Sequence, residues 1–258
     1  MDWKKVELPG VTDVLYSKAE GIAKVSINRP EMRNAFRPKT GDDILDAFMD
    51  AWHDDNVGVV VFTGEGSAFC SGGDVSVRDP ETGRYKGVKW NGASGLTHWV
   101  IRNIPKPVVA MVNGFAIGGG HVFHTLCDLT VGSDKAVFGQ VGPKFGSFDC
   151  SFGICYLARL VGEKKAREIW FLCRRYSAQQ ALDMGLINFM VPHDKLEEET
   201  VKVCKEILGM SPTALKILKY AANSESDHLY GIERLEFSML RMYYFMDEAR
   251  EGGKAFLE

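Results

Sequence analysis

The chain has 258 residues, 45% of them hydrophobic and 25% charged, with a formal net charge of -3. These values are ordinary for a soluble globular protein, allow a full buried core, and exclude a global field for nucleic acid or an anionic membrane. The length fits an α/β domain with an appendage.

The first residues, MDWKKVELPG, lack an apolar signal core, and no apolar run approaches membrane-spanning length, so a cytoplasmic protein is expected. The six cysteines form no CxxC pair, which favours reduced thiols and argues against a metal site built from them. In chain order, DVLYSK, a turn at Glu20-Gly21 and IAKVSIN predict a hairpin over about residues 13 to 28. Ile44, Leu45, Phe48 and Trp52 lie at helical spacing, which predicts a helix from Gly41 to Trp52 with Thr40 as its N-cap. Val57 to Thr63 reads as a strand buried on both faces. Asp79 to Gly95 has no period and reads as a loop or lid. A helix over Leu96 to Asn103 stops before Pro105 and Pro107, and Val108 to Val112 resumes as a strand.

The order strand, glycine turn, helix then repeats, which favours an α/β fold with right-handed crossovers. From Ser151 onward the pattern is mostly helical: Glu163 to Cys173, Ala178 to Met184, Leu196 to Leu208, Pro212 to Ala222 and Leu229 to Met246, with one strand at Ile187 to Val191. The last of these helices is apolar on several sides and needs cover from the core or a neighbouring subunit.

Three glycine-rich segments stand out: CSGGD at 70–74, AIGGGH at 116–121 and FGQVGPKFGSFD at 138–149. Gly73 and Gly119 can each offer a main-chain N–H to one oxygen atom, with a helix start near Gly119 adding positive potential. The alternative is that these glycines only permit tight packing. Neither a Walker loop, nor GxGxxG, nor the GxSxG elbow occurs, so Ser147 reads as a hydrogen-bonding residue. Asp149 either works with Ser147 on a substrate or caps the following helix. His121 and His124 read as packed, hydrogen-bonded residues, and Trp170 with Tyr243, Tyr244 and Phe245 as core. Arg33, Arg37 and Lys39 are either solvated or near an anionic ligand.

Taken together, NRPEMRNAF, AFCSGGD, NGFAIGGGH and FGQVGPKFGSFD resemble the crotonase (enoyl-CoA hydratase/isomerase) superfamily over essentially the whole chain. The resemblance implies an α/β fold: a spiral of ββα units over 1–192, completed by a C-terminal helical region over 193–258. It also implies trimers or hexamers and an acyl-CoA substrate. Coenzyme A would enter as part of that substrate, with no tightly bound cofactor. Gly73 and Gly119 fall where the family holds a thioester carbonyl, and Arg33 and Ala35 where it grips the CoA nucleotide, with Ser71, Gly72 and Asp74 of the first loop also at the ligand. The two glutamates of its hydratases correspond to Val122 and Gly142, neither of which can accept a proton.

FRPKT, SGGD-x-x-VR, GPKxGSFD and KKAREIWFLCRRYSAQQALDMGL resemble the 1,4-dihydroxy-2-naphthoyl-CoA synthases of menaquinone biosynthesis, which close a ring by an intramolecular Claisen condensation. That likeness implies roles for Tyr85, Ser147, Asp149 and Tyr244. It also implies a bicarbonate beside Gln140, Gly142 and Trp170. GQVGPK, VGEKKAREIW and the paired tyrosines before DEAREG are also similar to a ring-opening relative, 2-ketocyclohexanecarboxyl-CoA hydrolase. Val75, Ser76, Val141 and Cys150 depart from the synthase pattern. A catalytically silent CoA-binding paralogue is the third reading.

Overall fold

The computed structural model describes residues 1–79, 85, 94–148 and 153–257. β1 (Lys4–Lys5), β2 (Val14–Ala19) and β3 (Ile22–Ile27) form an antiparallel start, turned at Glu20 and Gly21, both of which have positive φ. α1 (Pro38–His53) buries Ile44, Ala47, Phe48 and Ala51, with the Phe48 ring edge-on to Phe62 at 5.6 Å. Its N-cap is Arg37, not Thr40. Pro38 lacks an N–H and therefore suits the first turn, and Thr40 instead accepts from the Arg37 amide at 3.2 Å.

Three successive units follow. β4 (Val59–Gly64) and β5 (Ala68–Cys70) precede α2 (Ser94–Asn103); β6 (Val108–Val112) and β7 (Phe115–Ile117) precede α3 (Gly119–Leu126); β8 (Leu129–Ser133) and β9 (Val137–Gly139) precede α4 (Gly153–Val161). Each unit gives its first strand to one sheet and its second to another. α5 (Glu163–Leu172), β10 (Arg175–Ser177), α6 (Ala178–Asp183) and β11 (Phe189–Val191) then complete two sheets. The orders are β1-β2-β3-β4-β6-β8-β11 and β10-β9-β7-β5, parallel from β3 to β11 and from β9 to β5. The fully buried β4 and β6, VVVFTG and VVAMV, are dominated by Val, as a sheet covered on both faces requires.

α7 (Leu196–Leu208) covers the large sheet by packing Leu196 and Cys204 on Ile22, Val59, Val61, Val109 and Val131. α8 (Pro212–Ser224), α9 (Tyr230–Tyr243) and α10 (Asp247–Leu257) follow. The single helix expected over Leu229 to Met246 is therefore shorter, and a further helix follows it. Buried Arg102 of α2 ties this region down by donating to the Asn223 side chain, the Asn223 carbonyl at 2.7 Å and Ser226 at 2.8 Å. Along α9, Ile232, Leu235, Met239 and Met242 are exposed at heptad spacing. No described helix is long and apolar enough to cross a membrane.

Arg37 and Lys39, left open between solvent and ligand, make contacts within the protein. Arg37 holds Asp13 through two hydrogen bonds of 2.7 Å, and Lys39 pairs with Asp43. Burial would raise the Asp13 carboxyl, but bonds from Arg37 and Thr40 lower it from 3.8 to about 2. A carboxyl depressed in the folded state stabilises the fold above its ordinary value and loses that contribution as pH falls through the folded value. Urea midpoints are thus expected to drop between pH 3.8 and about 2, and Asp13→Asn should flatten that part of the profile. An unchanged slope in the variant would refute the assignment.

Candidate active site

The first loop leaves β5 at Cys70 and is sewn to the segment before α1. Phe36 N–H donates to the Gly72 carbonyl and Asp74 N–H to the Phe36 carbonyl, both at 2.8 Å, and Ser71 N–H donates to the Arg33 carbonyl at 3.1 Å. These bonds alternate past Gly73, whose own N–H has no backbone partner among the described residues. Gly72 sits at φ +101, and a Cβ there would lie 3.2 Å from the Ile117 carbonyl and 3.6 Å from the Gly119 nitrogen. The two glycine loops therefore touch, and only glycine allows both that backbone angle and that approach. In the second loop Gly118 N–H donates to the Gly139 carbonyl at 3.0 Å, and α3 begins at Gly119, whose own N–H has no backbone partner among the described residues.

Phe36 forms the wall between the loops. Its ring carbons lie 2.5 and 2.7 Å from where a Gly119 Cβ would stand and 3.9 Å from the corresponding point at Gly73. Phe123 backs the ring at 5.2 Å. NRPEMRNAF contains this phenylalanine, but nothing in its local pattern gave it a place in the site.

A polar cluster adjoins Gly73. The Tyr85 hydroxyl lies 2.6 Å from the position of a Gly73 Cβ, and a guanidinium nitrogen of Arg78 lies 3.6 Å from it. Arg78 stands 5.5 Å from the Tyr85 ring and 4.6 Å from the Tyr244 ring, and the Tyr244 hydroxyl is 3.0 Å from Ser147 Oγ. Burial raises the Tyr85 phenol above its ordinary value, with the Arg78 charge opposing the shift. Ser147, Tyr244, Arg78, Tyr85 and Gly73 are thus linked, and Arg78 is the member that sequence reasoning missed. Asp149 lies outside the described residues, as does most of the Asp79 to Gly95 lid. Tyr244 is buried as expected of a core residue, whereas Phe245 is 49% exposed. α10 closes the other side, with its Ala249 carbonyl against Gly146.

Where hydratases of the resembled family carry glutamates, Val122 is buried with its methyl carbons against Gly153, and Gly142 is buried in a short turn. Gln140 is 1% exposed, and neither of its side-chain polar atoms has a partner among the described residues; the same holds for Trp170 Nε1. Such buried, unpaired donors and an acceptor suit a small hydrogen-bonding anion such as bicarbonate. His121 and His124 pack ring to ring at 4.9 Å, and burial pushes His121 down to about 3, so both are neutral. His124 Nδ1 lies 3.4 Å from Thr130 Oγ1, as expected of a hydrogen-bonded histidine, whereas the Nε2 atom of each ring has no partner among the described residues. No described group of three His, Cys, Asp or Glu side chains is placed to hold a metal.

Residues implied at coenzyme A lie on the rim or beneath it. The Arg33 guanidinium sits 5.7 Å from the Phe115 ring, with Arg175 at 5.9 Å from the same ring. Ser71 Oγ donates to the Met32 carbonyl at 3.4 Å, and the Ala35 carbonyl accepts from Arg29. The Asp74 carboxylate points into the protein, where it accepts from Arg29 at 2.8 Å and from Ser76 Oγ at 2.6 Å.

The enoyl-CoA hydratase/isomerase family model matches residues 17–258. The chain belongs to that family. Among solved structures, an enoyl-CoA hydratase from Mycobacterium avium subsp. paratuberculosis is 27% identical over 96% of each chain with a TM-score of 0.83. A carnitinyl-CoA hydratase from Mycobacterium avium is 26% identical over 95% of each chain with a TM-score of 0.84. A monofunctional enoyl-CoA isomerase from M. smegmatis is 29% identical over 83% of this chain and 94% of its own, with a TM-score of 0.71. The protein is therefore a crotonase-family α/β protein, and the family's acyl-CoA chemistry is the frame for its glycine loops.

Proposed function

We propose that the protein is a cytoplasmic acyl-CoA enzyme that forms a carbon–carbon bond through a thioester enolate, in an intramolecular Claisen ring closure of the 1,4-dihydroxy-2-naphthoyl-CoA synthase type. The observation that carries this reading is the apolar Val122 and the bare Gly142 at the hydratase carboxylate positions, beside two touching glycine loops and the Ser147–Tyr244 contact. Water addition across a double bond needs an acid and a base where this chain has neither.

The Gly73 and Gly119 N–H groups would hold the thioester oxygen as it gains charge on loss of the α-proton. Bicarbonate, when held by Gln140, Trp170 and the Gly142 turn, would supply a base for that proton. The enolate carbon then bonds to the second carbonyl carbon, whose π electrons move to oxygen. Ser147, Tyr244 and Asp149 would orient that carbonyl and protonate its oxygen, with loss of water completing the ring. Arg78 and Tyr85 would offset negative charge near Gly73. Arg33 and Arg175 would meet the CoA phosphates. A homotrimer or homohexamer would cover the exposed side of α9, and light scattering that returns a monomer mass would remove that element.

Incubation with o-succinylbenzoyl-CoA, followed by mass spectrometry, should show loss of one water. The ring-opening alternative predicts gain of one water by 2-ketocyclohexanecarboxyl-CoA, and inertness toward both points to a silent paralogue. Tyr244→Phe leaves Ser147 without its 3.0 Å partner. It should lower kcat roughly 10²-fold with little change in KM, and wild-type turnover in this variant would remove Tyr244 from the mechanism.

A further inference from the structure

Between α2 and α9 the protein buries two titratable side chains that the chemistry above does not use. His98 is 8% exposed and Glu233 5% exposed, with His98 Nδ1 and Glu233 Oε1 facing each other at 3.8 Å. Neither atom has a hydrogen-bond partner among the described residues. Aromatic rings surround the contact: His98 stacks on Phe237 of α9 at 5.7 Å and packs on Phe123 of α3 at 5.4 Å. Phe123 is the residue that backs Phe36, so a line of rings runs from His98 to Gly119. The charges nearest Glu233 are Glu236 and Arg234 on its own helix and Arg102 on α2, which is already committed to Asn223, Ser226 and Asp227.

We infer that His98 and Glu233 are a proton-sharing positioning pair that fastens α9, and with it Tyr244, to the aromatic wall behind Gly119, and that loss of the shared proton loosens both. An unpaired carboxylate among rings is strongly disfavoured, whereas a neutral carboxyl can donate its proton to an uncharged imidazole after a small side-chain rotation. Burial lowers His98 to about 4; burial and then Glu236 raise Glu233 to about 7, with Arg234 and Arg102 opposing. The Glu233 contribution to stability is present below its ordinary 4.5 and is lost as pH rises through about 7. The His98 contribution is present above its ordinary 6.5 and is lost as pH falls through about 4. Between 4.5 and 6.5 the folded pair and the unfolded chain each hold one proton, on glutamate and on histidine respectively, so the two effects cancel. The net change in stability falls between 6.5, where the unfolded chain has released both protons, and about 7, where the folded pair gives up its own and is left with a buried negative charge.

Neither residue is assigned a step in ring closure, so the inference stands apart from that reading. Histidine-selective ¹⁵N labelling, with His98 assigned through His98→Phe, provides the test. The His98 imidazole is expected to stay neutral through the neutral range and to show one chemical-shift transition near the Glu233 value of about 7, which disappears in Glu233→Gln. With o-succinylbenzoyl-CoA, kcat should fall about tenfold per pH unit above that transition in the wild type and stay flat in Glu233→Gln, with KM unchanged in both. Glu233→Leu is a second variant with the same expected loss of the transition. Protonation of His98 near its ordinary 6.5, or a transition that survives in both Glu233 variants, overturns the inference. The spectroscopic readout decides it even if o-succinylbenzoyl-CoA is not turned over.

Discussion

Gly119→Ala is expected to reduce turnover roughly 10²- to 10³-fold while leaving CoA affinity nearly unchanged. The added Cβ would meet the Phe36 ring at 2.5 and 2.7 Å. That ring cannot retreat, because Phe123 lies 5.2 Å behind it and itself packs against Phe62 at 5.7 Å. The first turn of α3 must therefore move, and the Gly119 amide moves with it. A displacement of this kind matters to an oxyanion far more than to a ground-state carbonyl, so the loss should appear in kcat. Gly231→Ala is a suitable control, since a Cβ there meets nothing within 4 Å. Undiminished turnover by the Gly119 variant would show that its amide is not used.

Asp74→Asn should cost about 3–5 kcal/mol of stability, the usual consequence of leaving a buried charge without its partner. Asp74 is 2% exposed and Arg29 is 8% exposed. Burial alone would raise the Asp74 carboxyl, but Ser76 and Arg29 hold it below its ordinary value. The amide would turn an N–H₂ group toward a guanidinium whose remaining partners are the Ala35 carbonyl and, at 3.8 Å, the Asp13 carboxylate. Because Gly73 is the preceding residue, the first loop should slacken as well, and kcat should fall more than thermal stability alone explains. Urea unfolding is the direct measurement. A shift under about 0.5 kcal/mol would mean that the ion pair contributes no more than an exposed one.

The sequence was most informative where periodicity was long or chemistry concentrated. Period-two alternation placed β2 and β3, the short β-branched run VGVVVFT placed β4, and glycine clusters marked both loops. The strands of the small sheet escaped notice because β5, β7, β9 and β10 have only three residues each, too few for a pattern. α10 was missed for a different reason. DEAREGGKAFL has two adjacent glycines that weaken a helix in isolation, and contact with the Gly146 turn supplies what its own propensity lacks. Phe36 and Arg78 join the site through tertiary contacts that no local spacing encodes. Asp74 illustrates the converse: its place in CSGGD suggested a ligand contact, while the fold turns its carboxylate toward Arg29.

The seating of Ala249 on Gly146 ties the timing of function to the order of synthesis. The strands and the glycine amides are laid down early, but the turn that presents Ser147 gains its support only after residues 247–257 have left the ribosome. A nascent chain reaching only Met246 would have its strands and glycine loops in place while the turn that carries Ser147 was still held slackly.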